Sequence, residues 1–160
     1  MHLREANDAQ QWTKIEPYRM VRLLGQGGMG AVYEAVHRLI GRRVAIKVLH
    51  PRYAADADLT ERFFNEARAV NLIDHPGIVQ VSDYERLDDG TSYIVMEFLK
   101  GETLGQRLRR GGAPMSAQEA TQIAAQVADS LVAAHEQGIV HRDLKPDNVM
   151  LVPDPHMPGG

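Results

Sequence analysis

The sequence predicts an α+β fold in two parts: a β-rich first part over 17–99 carrying one helix, and a helical second part over 100–160. Three observations predict it. Alternating apolar and polar residues, rich in β-branched and aromatic side chains, recur between Tyr18 and Phe98. Apolar residues at helical spacing dominate after Gly101. The composition shifts at Lys100-Gly101, where the strand pattern gives way to an Ala-rich one. A cleft between two such parts is a common ligand site.

Residues 1–16 read as a loosely ordered, polar lead-in. Val21, Leu23 and Leu24 form a strand that runs into Gly25-Gln26-Gly27-Gly28-Met29-Gly30, and Ala31 to Val36 alternate as the next. After a polar turn at Gly41, Val44 to Leu49 form a third strand. Asp56 to Asp74 read as a helix, with Leu59, Phe63, Val70 and Ile73 on one face and Pro76 as its stop. Ile78–Asp83 and Ser92–Phe98 are two further strands, joined through a turn at Asp88-Asp89-Gly90. Leu104 and Leu108 belong to a short helix ending at Gly111-Gly112. Ser116 and Glu119 make a capping box for a long helix with Ile123, Val127, Leu131 and Ala134 along one core-facing stripe, closed by Gly138. Pro153 to Gly160, with three prolines and two glycines, reads as a loop.

Composition narrows the function. A net charge of −3 with no basic bias argues against nucleic acid as a main partner. The absence of cysteine excludes disulfides and thiolate metal sites and fits a reducing, cytoplasmic compartment. No run approaches the ~18 apolar residues of a membrane span.

The chemistry-bearing residues fall in three places. Gly25-x-Gly27-x-x-Gly30 lets backbone amides approach phosphate oxygens, although a glycine cluster alone more often makes a turn. Here the third glycine opens a strand, not the helix of a dinucleotide-binding unit, and Ala31-Val32 stands where a Walker-type loop needs Lys-Ser/Thr. A glycine flap between two strands fits better. Lys47 lies in a strand with two mainly apolar faces, a costly place unless the charge is paired; the alternative is an edge lysine reaching water. Glu66, three residues after Phe63 and four before Val70, lies inside the apolar helix stripe and predicts a buried carboxylate tethered to Lys47. Breaking such a pair typically costs ~3–5 kcal/mol.

The third place carries the strongest signal. His141-Arg142-Asp143-Leu144-Lys145-Pro146-Asp147-Asn148 puts an Asp, a Lys and an Asn into one short loop. Phosphoryl transfer needs a carboxylate to orient a hydroxyl, a cation near the moving phosphoryl group and an amide oxygen for Mg²⁺. A charged surface turn is the bland alternative. His37, His50, His75, His135 and His156 show no metal-ligand spacing and read as structural or solvated, and Arg107, Arg109 and Arg110 read as solvating a helix end. Met96 and Met150 suit core gaps.

Gly-Gln-Gly-Gly-Met-Gly-Ala-Val-Tyr, Val-Ala-Ile-Lys, Tyr-Ile-Val-Met-Glu-Phe and His-Arg-Asp-Leu-Lys-Pro-Asp-Asn stand here in one order. From about Tyr18 to Val152 the chain resembles bacterial eukaryotic-like (Hanks-type) serine/threonine protein kinases. The resemblance implies a bilobal kinase-like fold, with a complete β-rich N-lobe over 17–99 and an incomplete helical C-lobe over 100–160. It implies ATP and Mg²⁺ as cofactors and proteins bearing Ser or Thr as substrates. By position, Leu24, Gly25, Gln26, Gly27, Gly28, Met29, Gly30, Ala31 and Val32 would cover the nucleotide, and Ala45 would roof the adenine. Lys47 would touch the α- and β-phosphates and pair with Glu66. Met96 would be the gatekeeper, Glu97, Phe98 and Leu99 would offer backbone hydrogen bonds to adenine, and Met150 would floor the ring. Asp143 would orient the substrate hydroxyl, Lys145 would steady the γ-phosphate and Asn148 would ligate Mg²⁺. His141, Val81 and Val70 would join the internal spine, and Arg142 would meet a phosphorylated activation loop.

The sequence holds no Asp-Phe-Gly after Asn148. The expectation is a truncated kinase with weak nucleotide binding and little transfer as this fragment. Two alternatives stand beside the kinase reading. One is a pseudokinase-like nucleotide-binding module without catalysis. The other is a small-molecule phosphotransferase of the antibiotic-kinase type, against which Arg142 and Lys145-Pro146 argue.

Overall fold

The structure is a computed structural model that describes residues 15–112 and 114–153. Most of the lead-in at 1–16, the tail after Pro153 and His156 lie outside the described residues. The chain divides into two compact units, one of residues 1–71 and 79–98, the other of 72–78 and 99–160. The division after Phe98 lies close to the composition shift, but the short segment 72–78 belongs with the second unit.

The first unit is a five-stranded antiparallel sheet in the order β1-β2-β3-β5-β4. Its strands are β1 (Tyr18–Gln26), β2 (Gly30–His37), β3 (Arg43–Leu49), β4 (Val81–Arg86) and β5 (Ser92–Glu97). Because side chains alternate across a strand, the sheet sorts its residues onto two faces. Ala31, Tyr33, Ala35, Val44, Ile46, Val48, Tyr93 and Val95 pack with Ile15 into one core cluster. On the other face, Leu49 and Ile94 pack against Phe63, Phe64 and Ala67 of helix α1 (Ala57–Val70). Asp56 caps α1 by accepting the Leu59 N–H at 2.9 Å.

Helix α1 is shorter than predicted. It ends at Val70, six residues before Pro76, with Asn71 as its C-cap. The fourth strand starts at Val81 and not Ile78, since Gly77 and Ile78 lie in the turn after Pro76. Buried Thr60, Phe63, Phe64 and Ala67 mark the inner face of α1. That stripe is rotated from the predicted one and leaves Glu66 on its flank.

In the second unit, helices α2 (Leu104–Arg110) and α3 (Ala117–Glu136) accompany a two-stranded ribbon. The ribbon pairs β6 (Glu102–Thr103) with β7 (Met150–Leu151). Thr103 and Gln106 form a reciprocal capping box at α2. At α3, Ser116 accepts the Glu119 N–H at 3.1 Å. The Glu119 carboxylate turns to Arg107 at 2.8 Å, which makes the cap one-sided where a box was expected. The segment 72–78 joins this unit through His75 Nε2, 3.0 Å from Asp129 Oδ2. The predicted core stripe of α3 is only half-buried at Ile123, Val127 and Leu131, and Ala134 alone is fully inside. No helix among the described residues is long and apolar enough to cross a membrane.

Candidate active site

In the first unit, β1 and β2 are joined by Gly27-Gly28-Met29, with Gly27 N–H bonded to Gly30 O at 2.9 Å. The glycines here have different reasons to be glycine. A Cβ on Gly30 would collide with the Val48 carbonyl oxygen of β3, so Gly30 is needed for strand packing. A Cβ on Gly25, Gly27 or Gly28 would meet nothing within 4 Å, and none of the three has a left-handed φ. Neither packing nor backbone strain requires glycine there, and the open space beside them fits a group that approaches the backbone from outside.

The ladder sets the next residues in rows. Val32 lies opposite Lys47, and Lys47 opposite Ile94. Ala45 lies opposite Met96, which lies opposite Val81. Directly opposed residues share a sheet face, and so do residues two apart on one strand. Val32, Ala45, Lys47, Met96 and Val81 therefore line the face that α1 covers in part. Lys47 Nζ donates to Glu66 Oε1 at 2.8 Å. The partner is the one expected, but its setting is not: the Glu66 side chain is 53% exposed and Lys47 22%. The rotation of α1 brings Phe64 and Ala67 inward and sends Glu66 to the rim. The Glu97 N–H is bonded to Gln80 O at 3.0 Å, so of Glu97 only the carbonyl could serve an adenine edge. Arg43 stacks on the Phe98 ring at 4.0 Å.

In the second unit, the loop from His141 to Asn148 is folded around the Asp143 carboxylate. Asp143 Oδ2 accepts from Lys145 Nζ at 2.7 Å and from Asn148 Nδ2 at 3.1 Å. Asn148 Nδ2 also donates to the Asp143 carbonyl at 2.8 Å. Pro146–Asn148 form a 3₁₀ turn, and Arg142 has the left-handed φ of 61° that tightens the approach to Asp143. The Lys145 hydrogen bond holds the Asp143 carboxyl below the usual carboxylate range, against the opposing effect of burial and with further help from Asn148. Asp143 is thus an anion at neutral pH, suited to accepting a hydrogen bond from a hydroxyl. With its amide hydrogens turned to Asp143, Asn148 keeps Oδ1 as its free oxygen donor. Met150 sits on β7 opposite Thr103.

Three arginines assigned to a solvated helix end are in fact engaged. Arg107 bonds Glu102 and Glu119, Arg110 lies 3.2 Å from Glu102, and Arg109 bonds Asp147 Oδ1 at 2.7 Å. That last pair keeps the Asp147 carboxyl low and ties the 3₁₀ turn to α2. Their carboxylate partners are far away in sequence, except Glu102, and no local period points to them.

The family model of the protein kinase domain matches residues 18–157. The chain belongs to the protein kinase family. It is 47% identical over 148 residues to the serine/threonine-protein kinase Pkn1 of Myxococcus xanthus, covering 92% of this chain and 21% of that protein. It is 44% identical over 140 residues to PknA of Mycobacterium tuberculosis, covering 85% of this chain and 32% of that one. Among solved structures, a variant of the Mycobacterium tuberculosis PknI kinase domain superposes with a TM-score of 0.73 at 34% identity, over 86% of this chain and 55% of that one. The chain therefore spans between a fifth and a third of these curated relatives. The kinase fold and the bacterial Ser/Thr relatives agree with the motifs read from the sequence, and the family implies ATP and a divalent metal.

Proposed function

We propose that this kinase domain transfers the γ-phosphate of ATP to Ser or Thr hydroxyls of proteins in the cytoplasm. The observation that carries the reading is the cluster of Lys145 and Asn148 on the Asp143 carboxylate. Glycine amides of the flap would hold phosphate oxygens, and Lys47, oriented by Glu66, would hold the α- and β-phosphates. Leu24, Val32, Ala45 and Met96 would enclose the ring, with the Glu97 carbonyl and backbone groups of Phe98 at its edge, while Ala31 turns to the opposite sheet face and packs in the core cluster. Asp143, kept ionised, would accept the hydrogen bond of the incoming hydroxyl and fix its direction, and Lys145 would offset charge on the transferred group. Mg²⁺, when bound with the nucleotide, neutralises charge on the β- and γ-phosphates. Asn148 Oδ1 would hold it, the kind of hard oxygen donor that Mg²⁺ takes in small number beside phosphates and water.

The test is transfer from Mg-ATP to a generic basic protein. Asp143→Asn keeps the shape and should lower the rate about 10²–10⁴-fold. Equal transfer by both forms would overturn the reading. A binding-only module would give the Lys145 and Asn148 contacts to Asp143 no task, and transfer to an aminoglycoside but not to protein would favour the small-molecule reading instead.

A further inference from the structure

The flap is held from one side by residues that no motif contains. The Gly27 carbonyl lies 3.0 Å from His50 Nε2, and Arg52 Nη2 donates to the Gly28 carbonyl at 2.8 Å. The Met29 carbonyl accepts the His50 N–H at 2.9 Å. Three successive carbonyls of the flap tip thus point toward one short segment, His50-Pro51-Arg52. That segment is itself folded on local contacts. Pro51–Tyr53 form a 3₁₀ turn, Tyr53 N–H bonds His50 O at 2.9 Å, and the Arg52 guanidinium stacks 4.7 Å from the centre of the Tyr53 ring.

Peptide geometry then dictates where the amides go. In a planar trans peptide the C=O of one residue and the N–H of the next point in opposite directions. With the carbonyls of Gly27, Gly28 and Met29 drawn to His50 and Arg52, the N–H groups of Gly28, Met29 and Gly30 leave the flap on its other side. Successive N–H groups on one side of a loop make an anion-binding concavity. We infer that His50 and Arg52 are positioning residues of the phosphate flap, which hold its peptide planes so that the amides of Gly28, Met29 and Gly30 face a phosphate group. This rests on the nucleotide reading above and adds to it the residues that orient the amides.

The experiment compares affinities for Mg-ATP and for adenosine, since only the first presents phosphates to the flap. Arg52→Leu and His50→Phe should each weaken ATP binding roughly tenfold, about the share of one hydrogen bond to a backbone carbonyl, and leave adenosine affinity unchanged. Arg52→Lys, which keeps a donor on a flexible stem, should recover part of the loss. If Arg52 bound phosphate itself, His50→Phe would leave ATP affinity intact, and that result would overturn the inference. So would a parallel loss of ATP and adenosine, or no loss of either. A wild-type protein with no preference for ATP over adenosine would sink the nucleotide reading, and the inference with it. A second readout needs no nucleotide. In ¹⁵N-labelled wild type, inorganic tripolyphosphate should shift the Gly28, Met29 and Gly30 amide resonances, and in both variants it should not. Resonance changes in the variants as large as those in wild type would refute the positioning role.

Discussion

Replacing Gly30 by alanine should destabilise the first unit, while Gly27→Ala and Gly28→Ala should leave it as stable as before and instead weaken ATP binding. A Cβ at Gly30 falls on the Val48 carbonyl oxygen, with Val48 C at 3.1 Å and Leu49 Cα at 3.4 Å. These are backbone atoms, and they belong to the pairs Gly30↔Leu49 and Ala31↔Val48. Neither strand can shift freely, because Val48 and Leu49 are 1% and 2% exposed. Overpacking of this kind costs about 1–3 kcal/mol. Alanine restricts the unfolded chain and returns about 0.4–1 kcal/mol. The net loss is about 1–2 kcal/mol, or roughly 5–15 °C in the melting temperature of a unit this small. At Gly27 and Gly28 the steric cost is absent, and the same entropy effect predicts a change between zero and about +1 kcal/mol. Thermal melts followed by circular dichroism, with and without Mg-ATP, separate the cases. Gly30→Ala should melt early in both conditions, whereas Gly27→Ala and Gly28→Ala should melt at or slightly above wild type without ATP and lose the upward shift that ATP gives. A Gly30→Ala protein that melts with wild type, or a Gly27→Ala protein that melts as early as Gly30→Ala, would refute this division of the glycines.

Two further outcomes concern the scaffold around the site. Glu34 is 5% exposed and holds Arg22 Nε at 2.8 Å and Arg43 Nη2 at 2.7 Å, joining β1, β2 and β3. Both arginines are about half exposed, so Glu34→Gln should cost about 1–2 kcal/mol in chemical denaturation, less than a fully buried pair. Glu61→Gln, on the exposed pair with Arg68, should cost under about 0.5 kcal/mol, and equal costs would refute the distinction. Tyr93 is buried and donates to Glu85 Oε2 at 2.6 Å; burial first, then that bond, pushes its phenol well above the ordinary value of 10.0. The unfolded tyrosine ionises near that value while the folded one keeps its proton, so this stabilisation is full below about pH 10 and is lost as pH climbs above it. Between about pH 9 and 11 wild type should lose more melting temperature than Tyr93→Phe, and parallel curves would count against the assignment.

The strands and helices were legible because their signals are local. Alternation across Ala31–Val36 and Val44–Leu49, the turn at Gly90 and the cap at Ser116 each depend on a few neighbouring residues. The Lys47–Glu66 pair was legible for a different reason, since an apolar strand leaves a lysine few places to go. The exposure of Glu66 was not, because a helical stripe read from Leu59, Phe63 and Val70 gives no weight to which side Phe64 and Ala67 take. The sheet decides that, through Leu49 and Ile94. Glu34 is the reverse case. It sits in an alternating strand as an ordinary polar residue, yet two arginines on neighbouring strands close over it. His50 and Arg52 fall outside every motif and act through backbone carbonyls, which carry no side-chain signature. Cross-strand and side-chain-to-backbone partners of this kind become visible only once register is known.

The distribution of charge between scaffold and site explains how such a domain can be altered at one without losing the other. Glu34, enclosed at the crossing of three strands, holds the sheet in register, and its loss is a loss of fold. Apart from Lys47, 22% exposed, the charges of the candidate site lie in water: Glu66 is 53% exposed, Asp143 66% and Lys145 50%. Exposed pairs contribute at most about 1 kcal/mol to stability. Their short distances are therefore better understood as settings of direction than as supports of the fold. Lys47 is aimed by Glu66, the Asp143 carboxylate is held by Lys145 and Asn148, and the flap amides are turned by His50 and Arg52. Groups held by such modest energies can exchange a protein partner for a phosphate oxygen or a hydroxyl at little cost, as the transfer proposed above would require.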